Sequence, residues 1–291
     1  MLDKPVKTLA DKLAQAKARG GKGAAVAPPA KPEPAQLRLD IWPDAVRGVP
    51  NSFLRSALFG VSNIRKTYSN RTLIAAVDGY EIRFFGTSFN QTDLDVWETL
   101  LHLARLQPLG TKVEFTAHSL LKELGRSTGG KDHEQLKEEL ARLGSGWTEI
   151  TDTKAKKTFA GNFISSFVRD DETERYVVSF TPEMAQLYEA GHTLIDWSER
   201  KALGKNNLAK WLHGHYASHA SPFHYKTGTL RDLSGSDTTG LRTFRQKLKK
   251  ALDALKAIGA ILNWSIDDDD LVHVAHVPSR TQLKHLKRKK V

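Results

Sequence analysis

Cysteine is absent from the 291 residues. That excludes a disulfide framework, thiolate zinc centres and a cysteine nucleophile, and it suits a reducing cytoplasm. Long apolar runs are missing too. No stretch approaches the roughly 18 uncharged residues of a membrane span. Asp3, Lys4, Lys7, Asp11 and Lys12 interrupt the start of the chain, so neither a signal core nor a membrane partner is expected.

Catalytic signatures are equally scarce. Gly125-Arg126-Ser127-Thr128-Gly129-Gly130-Lys131 approaches a phosphate-binding loop, but Asp132 stands where a magnesium-binding Ser or Thr is needed. That loop should also follow a strand, whereas Leu120–Leu124 reads as helix. His213, His215 and His219 lack a neighbouring carboxylate in sequence and the glutamate of a zincin motif. Tyr216 beside them lies on the same helix, which does not suit a nicking enzyme with sheet-borne histidines. Asp267–Asp270 reads as a solvated turn. The expectation is a protein that is no enzyme and takes no cofactor or metal.

What is abundant is positive charge. Lys and Arg number 44 against 33 Asp and Glu, a formal net charge of +11. A polyanionic partner, nucleic acid above all, is favoured.

Residues 1–40 read as a flexible arm. Gly20, Gly21 and Gly23 precede a stretch with Pro28, Pro29, Pro32 and Pro34, which cannot form a core. Order should begin near Ile41. Leu73 to Phe85 reads as a hairpin over the Asp78-Gly79 turn. Thr92 to Leu106 reads as a helix capped by Thr92, with Leu94, Trp97, Leu100, Leu101 and Ala104 on one face.

Two stretches then share one pattern. Helices at 117–124 and 131–143 are joined by a glycine-rich turn and followed by strands, with a hairpin at 147–168 whose tip is 152–157. Helices at 229–233 and 239–258 flank Gly235-Ser236-Asp237 and precede a hairpin at 260–277. Leu121 and Leu124 precede Leu136, Leu140 and Leu143; Leu230 and Leu233 precede Leu248, Leu252 and Leu255. The repeat predicts an α+β protein of two tandem winged-helix domains, each a helix-turn-helix plus a β-hairpin wing. The expected boundaries are 1–40 for the arm, 41–190 and 191–278 for the two winged helices, and 279–291 for a basic tail.

Charge separates the copies. The second helix of the first copy has Lys131, Lys137 and Arg142 against Asp132, Glu134, Glu138 and Glu139, a net of −1. Its counterpart has Arg242, Arg245, Lys247, Lys249, Lys250 and Lys256 against Asp253, a net of +5. The second copy is therefore expected to enter the major groove, with Arg242, Thr243, Arg245, Gln246 and Lys249 reading bases. Thr238 and Thr239 at the helix start, Lys247, Lys250, the wing lysines Lys154, Lys156 and Lys157, and Arg280 and Lys284 of the tail are expected on phosphate.

The strings "IWPDAVRGVPNSFLRSALF", "LRDLSGSDTTGLRTFRQKLKKALDAL" and "DDDDLVHV" give the chain, over roughly residues 36 to 278, a resemblance to the TrfA family of plasmid replication initiators. The resemblance implies sequence-specific binding of double-stranded origin repeats (iterons), opening of the origin, and recruitment of the host replicative helicase and host initiator protein. It also implies a homodimer in exchange with a DNA-binding monomer. The family carries a Gln-Leu-x-Leu-Phe-type segment that docks on the sliding clamp. Here Gln36, Leu37 and Leu39 match, while Asp40 replaces the aromatic anchor. The alternatives are a winged-helix transcriptional repressor or, less readily, an origin-nicking enzyme.

Overall fold

The computed structural model describes residues 42–105, 112–170, 172–276, 278–279, 282–283 and 286–287. The arm, its segment Gln36, Leu37 and Leu39, and Arg280 and Lys284 of the tail lie outside the described residues. The first half comprises β1 (Val46–Pro50), α1 (Asn51–Leu54), β2 (Phe59–Gly60), β3 (Thr67–Ile74), β4 (Tyr80–Thr87), β5 (Phe89–Asn90), α2 (Gln91–Ala104), β6 (Lys112–Thr116), α3 (Ala117–Glu123), α4 (Gly130–Ser145) and β7 (Trp147–Asp152). It continues with β8 (Lys157–Gly161), β9 (Ile164–Asp170), β10 (Arg175–Phe180), α5 (Ala185–Glu189), β11 (His192–Asp196) and α6 (Trp197–Ala202). Then follow α7 (Asn207–Ala217), β12 (Tyr225–Lys226), α8 (Thr227–Leu233), α9 (Leu241–Ala257), β13 (Asn263–Ile266) and β14 (Leu271–Ala275). Among the described residues no helix is long and apolar enough to cross a membrane.

The fold is mixed α/β, and one unit occurs twice. A strand leads into a short helix, a turn, a long helix, and later a hairpin whose second strand pairs with the leading strand. The strand orders are β6-β10-β9 and β12-β14-β13. All ten repeat leucines are buried. Both turns have the same stop signal. Gly125 at φ +69° and Gly235 at φ +63° adopt the left-handed conformation that favours glycine. Their N–H groups bond Lys122 O and Asp232 O, and the next residues bond Leu121 O and Arg231 O, so each helix ends in a Schellman motif.

The first copy's hairpin is not the expected one. The segment 147–168 breaks at Asn162-Phe163. β7 and β8 extend the sheet β3-β4-β7-β8, while the strand pair equivalent to β13–β14 is β9–β10. Lys154, Lys156 and Lys157 therefore sit on an inserted hairpin. The tips of the two equivalent hairpins are acidic, with Asp170, Glu172 and Glu174 in one and Asp267–Asp270 in the other. Helix α2 also starts one turn-position earlier than expected. Asn90, not Thr92, caps it: the Asn90 side chain accepts from the N–H groups of Thr92 and Asp93, and the Asp93 carboxylate accepts from Asn90 N–H.

Two apolar cores form. The first runs from Trp42 through Trp97 and Phe163 to Ile195 and Trp197. It passes the expected boundary at residue 190 because β11 pairs with β1, Val46 opposite Asp196 and Pro50 opposite His192. The second gathers α7, α8, α9 and the hairpin, with Val77 from the β3–β4 turn.

A polar seam binds α2 to α6 and α7. Helix α2 is buried almost all round, and its second face carries Gln91, Asp95, Glu98 and His102. Arg200, fully buried on α6, donates to Asp95 at 2.7 Å and to Gln91 at 3.1 Å, and lies 3.2 Å from Glu98. Lys210 on α7 donates to the other Asp95 oxygen at 2.6 Å. Burial pushes the Glu98 carboxyl up to about 7, against the pull of Arg200.

Glu98 gives the fold a testable pH dependence. The folded state holds this proton at pH values where the unfolded chain has lost it. Its contribution is complete below the ordinary glutamate value and falls as pH rises toward 7, by about 3 kcal/mol in all. His102 opposes it: burial and the Arg47 guanidinium lower its imidazole to about 4, so its contribution is lost as pH falls. Glu98→Gln removes only the glutamate contribution. Its denaturation free energy relative to wild type should therefore rise between about pH 5 and about pH 8. A pH-independent difference would show that Glu98 is ionised throughout.

Candidate nucleic-acid interface

Helix α9 is built to present one wet, positively charged face. Phe244, Leu248, Ala251, Leu252 and Leu255 recur at helical spacing and fill the second core. The opposite face then exposes Arg242, Thr243, Gln246, Lys249, Lys250 and Asp253. Among the described residues, Arg242, Gln246, Lys249 and Lys250 have no side-chain partner within the chain. Their donors are free for an external acceptor. The helix starts at Gly240 without a side-chain cap, which leaves first-turn N–H groups open beside Thr239.

Three predicted residues have partners within the chain. Arg245 lies on the flank of α9 and donates to Asp270 Oδ1 from Nε at 3.0 Å and from Nη2 at 2.8 Å. Thr227 Oγ1 donates to the same oxygen at 2.8 Å. Arg245, expected to read bases, is thus engaged within the chain: its guanidinium ties the hairpin turn to α9, and Thr227 ties the same carboxylate to α8. Lys247, on the other flank, donates to Thr238 Oγ1 at 3.0 Å, so these two expected phosphate ligands stand side by side, each with a donor left over. Thr239 remains exposed.

The first copy lacks this face. Superposing the leucine pattern puts Gly130, Glu134, Lys137, Glu138 and Ala141 of α4 where α9 has Arg242, Gln246, Lys249, Lys250 and Asp253. Glu134 and Lys137 pair at 2.9 Å, and buried Glu139 accepts from Arg126 at 2.6 Å. Lys154, Lys156 and Lys157 are exposed together around the β7–β8 turn, which the Asp152 side chain closes by accepting from Lys154 N–H and Ala155 N–H. They form a separate basic cluster from that of α9.

The histidines are packing groups. His213 contacts Glu199 at 2.9 Å, a carboxylate that sequence proximity did not reveal. His215 stacks on Trp211 with ring centroids 4.7 Å apart, and burial keeps its imidazole neutral. The Gly125–Lys131 segment joins two helices, so it is not a strand-to-helix phosphate loop.

The chain is 28% identical over 240 residues to the plasmid replication initiator protein TrfA of Escherichia coli, covering 80% of this chain and 62% of the relative. It thus spans about 62% of that relative's length. Its fold is similar to that of domains 2 and 3 of RctB, with a TM-score of 0.51 at 13% identity over 78% of this chain and 96% of that one. The Pi initiator protein in complex with iteron DNA gives a TM-score of 0.47 at 15% identity, over 64% and 92% of the two chains. Residues 9–276 match the family described as TrfA protein, and the chain belongs to that family.

Proposed function

We propose that this protein is a plasmid DNA replication initiator that binds repeated origin sites as duplex DNA, with α9 as its groove-reading helix. The observation that carries the reading is the row Arg242, Gln246, Lys249 and Lys250, exposed and, among the described residues, without side-chain partners, on a helix packed by its other face. Membership of the TrfA family supports it, as does the replication role named for the Escherichia coli relative.

In this reading each repeated unit is a winged helix. The second reads sequence. The first is bound to it through the seam of Asp95, Arg200 and Lys210 and contributes backbone contacts, the lysines of the β7–β8 turn among them. Arginine at 242 suits guanine O6 and N7, Gln246 suits adenine, and the Thr243 methyl suits thymine. Assembly on several repeats would bend and strain adjacent DNA, which supplies the work of origin opening. The family reading adds the host helicase and the host initiator protein as partners, with the sliding clamp and a second copy of the chain as further candidates. The reading places the protein in the cytoplasm and assigns it no catalytic step.

The test is a binding titration on a duplex bearing the direct repeats of its own replicon and on a shuffled duplex of equal length. The reading expects a preference of at least about 10³-fold for the repeats and a log–log salt slope near −5 for roughly six neutralised phosphates. Equal affinity for both duplexes would refute it, and preference for a single palindrome would instead indicate a repressor.

A further inference from the structure

A second basic surface continues from α9 onto the first unit. A groove of about 660 Å³ lies between the α3–α4 turn and the α6–α7 turn, and Lys131, Lys201 and Lys205 line it. A shallower groove alongside α9 is lined by Lys247 and Lys250. Asn63, Lys205 and Asn207 line both, so the two grooves form one continuous trough.

The charge in this trough is unbalanced in a particular way. Each acid lining the trough accepts a hydrogen bond from within the chain, and Asp95 is also matched by cations. Asp95 accepts from Arg200 and Lys210, Asp132 accepts from Ser127 Oγ, and Asp237 accepts from Ser62 Oγ at 3.0 Å. Lys131, Lys201, Lys205 and Lys250 are exposed and, among the described residues, have no side-chain partner. Lysine ammonium groups are point charges suited to phosphate oxygens, and a contact to phosphate carries no sequence information. Trp197 is the aromatic residue among those lining the deeper groove, and it is only 4% exposed. The trough thus offers no open ring on which an unstacked base would rest, which disfavours a single strand.

We infer that Lys131, Lys201 and Lys205 form a phosphate-binding track for the duplex flanking the segment read by α9. The inference rests on the reading of α9 as the groove helix and adds a place for the neighbouring backbone. The first turn of α4, through Lys131, thereby serves the first unit in DNA binding, although the outward face farther along α4 carries Glu134 and Glu138. Within the deeper groove Arg200 of α6 and Lys210 of α7 share Asp95 of α2.

The experiment compares wild type with the triple variant Lys131→Ala, Lys201→Ala, Lys205→Ala on repeat and random duplexes. Each probe is made in a long form, overrunning the α9 site by about one helical turn of ~10 base pairs, and in a form trimmed to that site. All three residues are exposed, so the variant should melt like wild type. On long duplexes its salt slope should be shallower by about 2–3, with repeat and random affinities reduced by the same factor. On trimmed duplexes it should match wild type. The Lys→Arg triple should restore the long-duplex slope. If wild type binds normally and the alanine variant keeps its slope and affinity on long duplexes, the track is refuted and the trough belongs to an acidic protein segment. If the loss is equally large on trimmed duplexes, the lysines sit within the α9 site and the flanking track is likewise refuted. Failure of wild type to bind either duplex would overturn the reading of α9 itself.

Discussion

Arg200→Ala is expected to lower unfolding stability by about 3–5 kcal/mol, the usual result of removing one partner from a buried ion pair. Arg200 is fully buried and is the common partner of Asp95, Glu98 and Gln91. After truncation Asp95 retains Lys210, but Glu98 loses its one close cation, and both of its oxygens already lack hydrogen-bond partners among the described residues. The cavity and the loss of the guanidinium shared by Asp95, Glu98 and Gln91 act in the same direction. Guanidinium denaturation measures the loss. Lys201→Ala, on the adjacent exposed residue, should stay within about 0.5 kcal/mol. A loss below about 1 kcal/mol for Arg200→Ala would show that solvent reaches the seam and screens it.

Arg242→Ala and Gln246→Ala should each cost about 1–3 kcal/mol on the repeat duplex, with little change on random DNA. Both residues lie on the outward line of α9, and neither has a partner within the described chain that would compete for its donors. Lys250→Ala serves as contrast. A lysine that meets phosphate weakens all sequences alike and lowers the salt slope by about one. Arg245→Ala is expected to behave differently from Arg242→Ala. It releases Asp270 from α9, loosening the β13–β14 turn, and should reduce repeat and random binding together. Competition titrations with the two duplexes separate these patterns. Equal losses on both for Arg242→Ala and Gln246→Ala would remove α9 from the reading role.

The repeated unit and its charged helix were legible in the sequence for a simple reason. Leu121, Leu124, Leu136, Leu140 and Leu143, and their counterparts from Leu230 to Leu255, obey a local helical period, and Gly125 and Gly235 mark the turns. Charge on α9 is a local property too. What stayed hidden depends on pairing at a distance. Two hairpins follow α4, and nothing in residues 147–180 says which of them will meet β6. The Asp95–Glu98–His102 spacing is an acidic and polar stripe that reads as solvent-facing until Arg47, Arg200 and Lys210 arrive from elsewhere in the chain. Arg245 looks as free as Arg242 by composition. Only the position of Asp270, with its backbone at φ +65°, shows that it is taken.

The pairing of β1 with β11 has a consequence for how the protein is made. On the ribosome, Val46–Pro50 emerges early, yet its partner His192–Asp196 follows only after most of the first unit. Until then Val49 and Trp42 have an incomplete core, and an extended edge stays open to other chains. The second unit, by contrast, closes mainly over the short sequence distances from α7 to β14, with Val77 reaching in from the β3–β4 turn. Refolding should therefore show a fast phase from the C-terminal helices and a slower one from strand closure, because non-local contacts carry the larger loop-closure entropy. During synthesis the unit that emerges first is then the one that finishes late, and the interval between is when nascent chains are most exposed to association with one another.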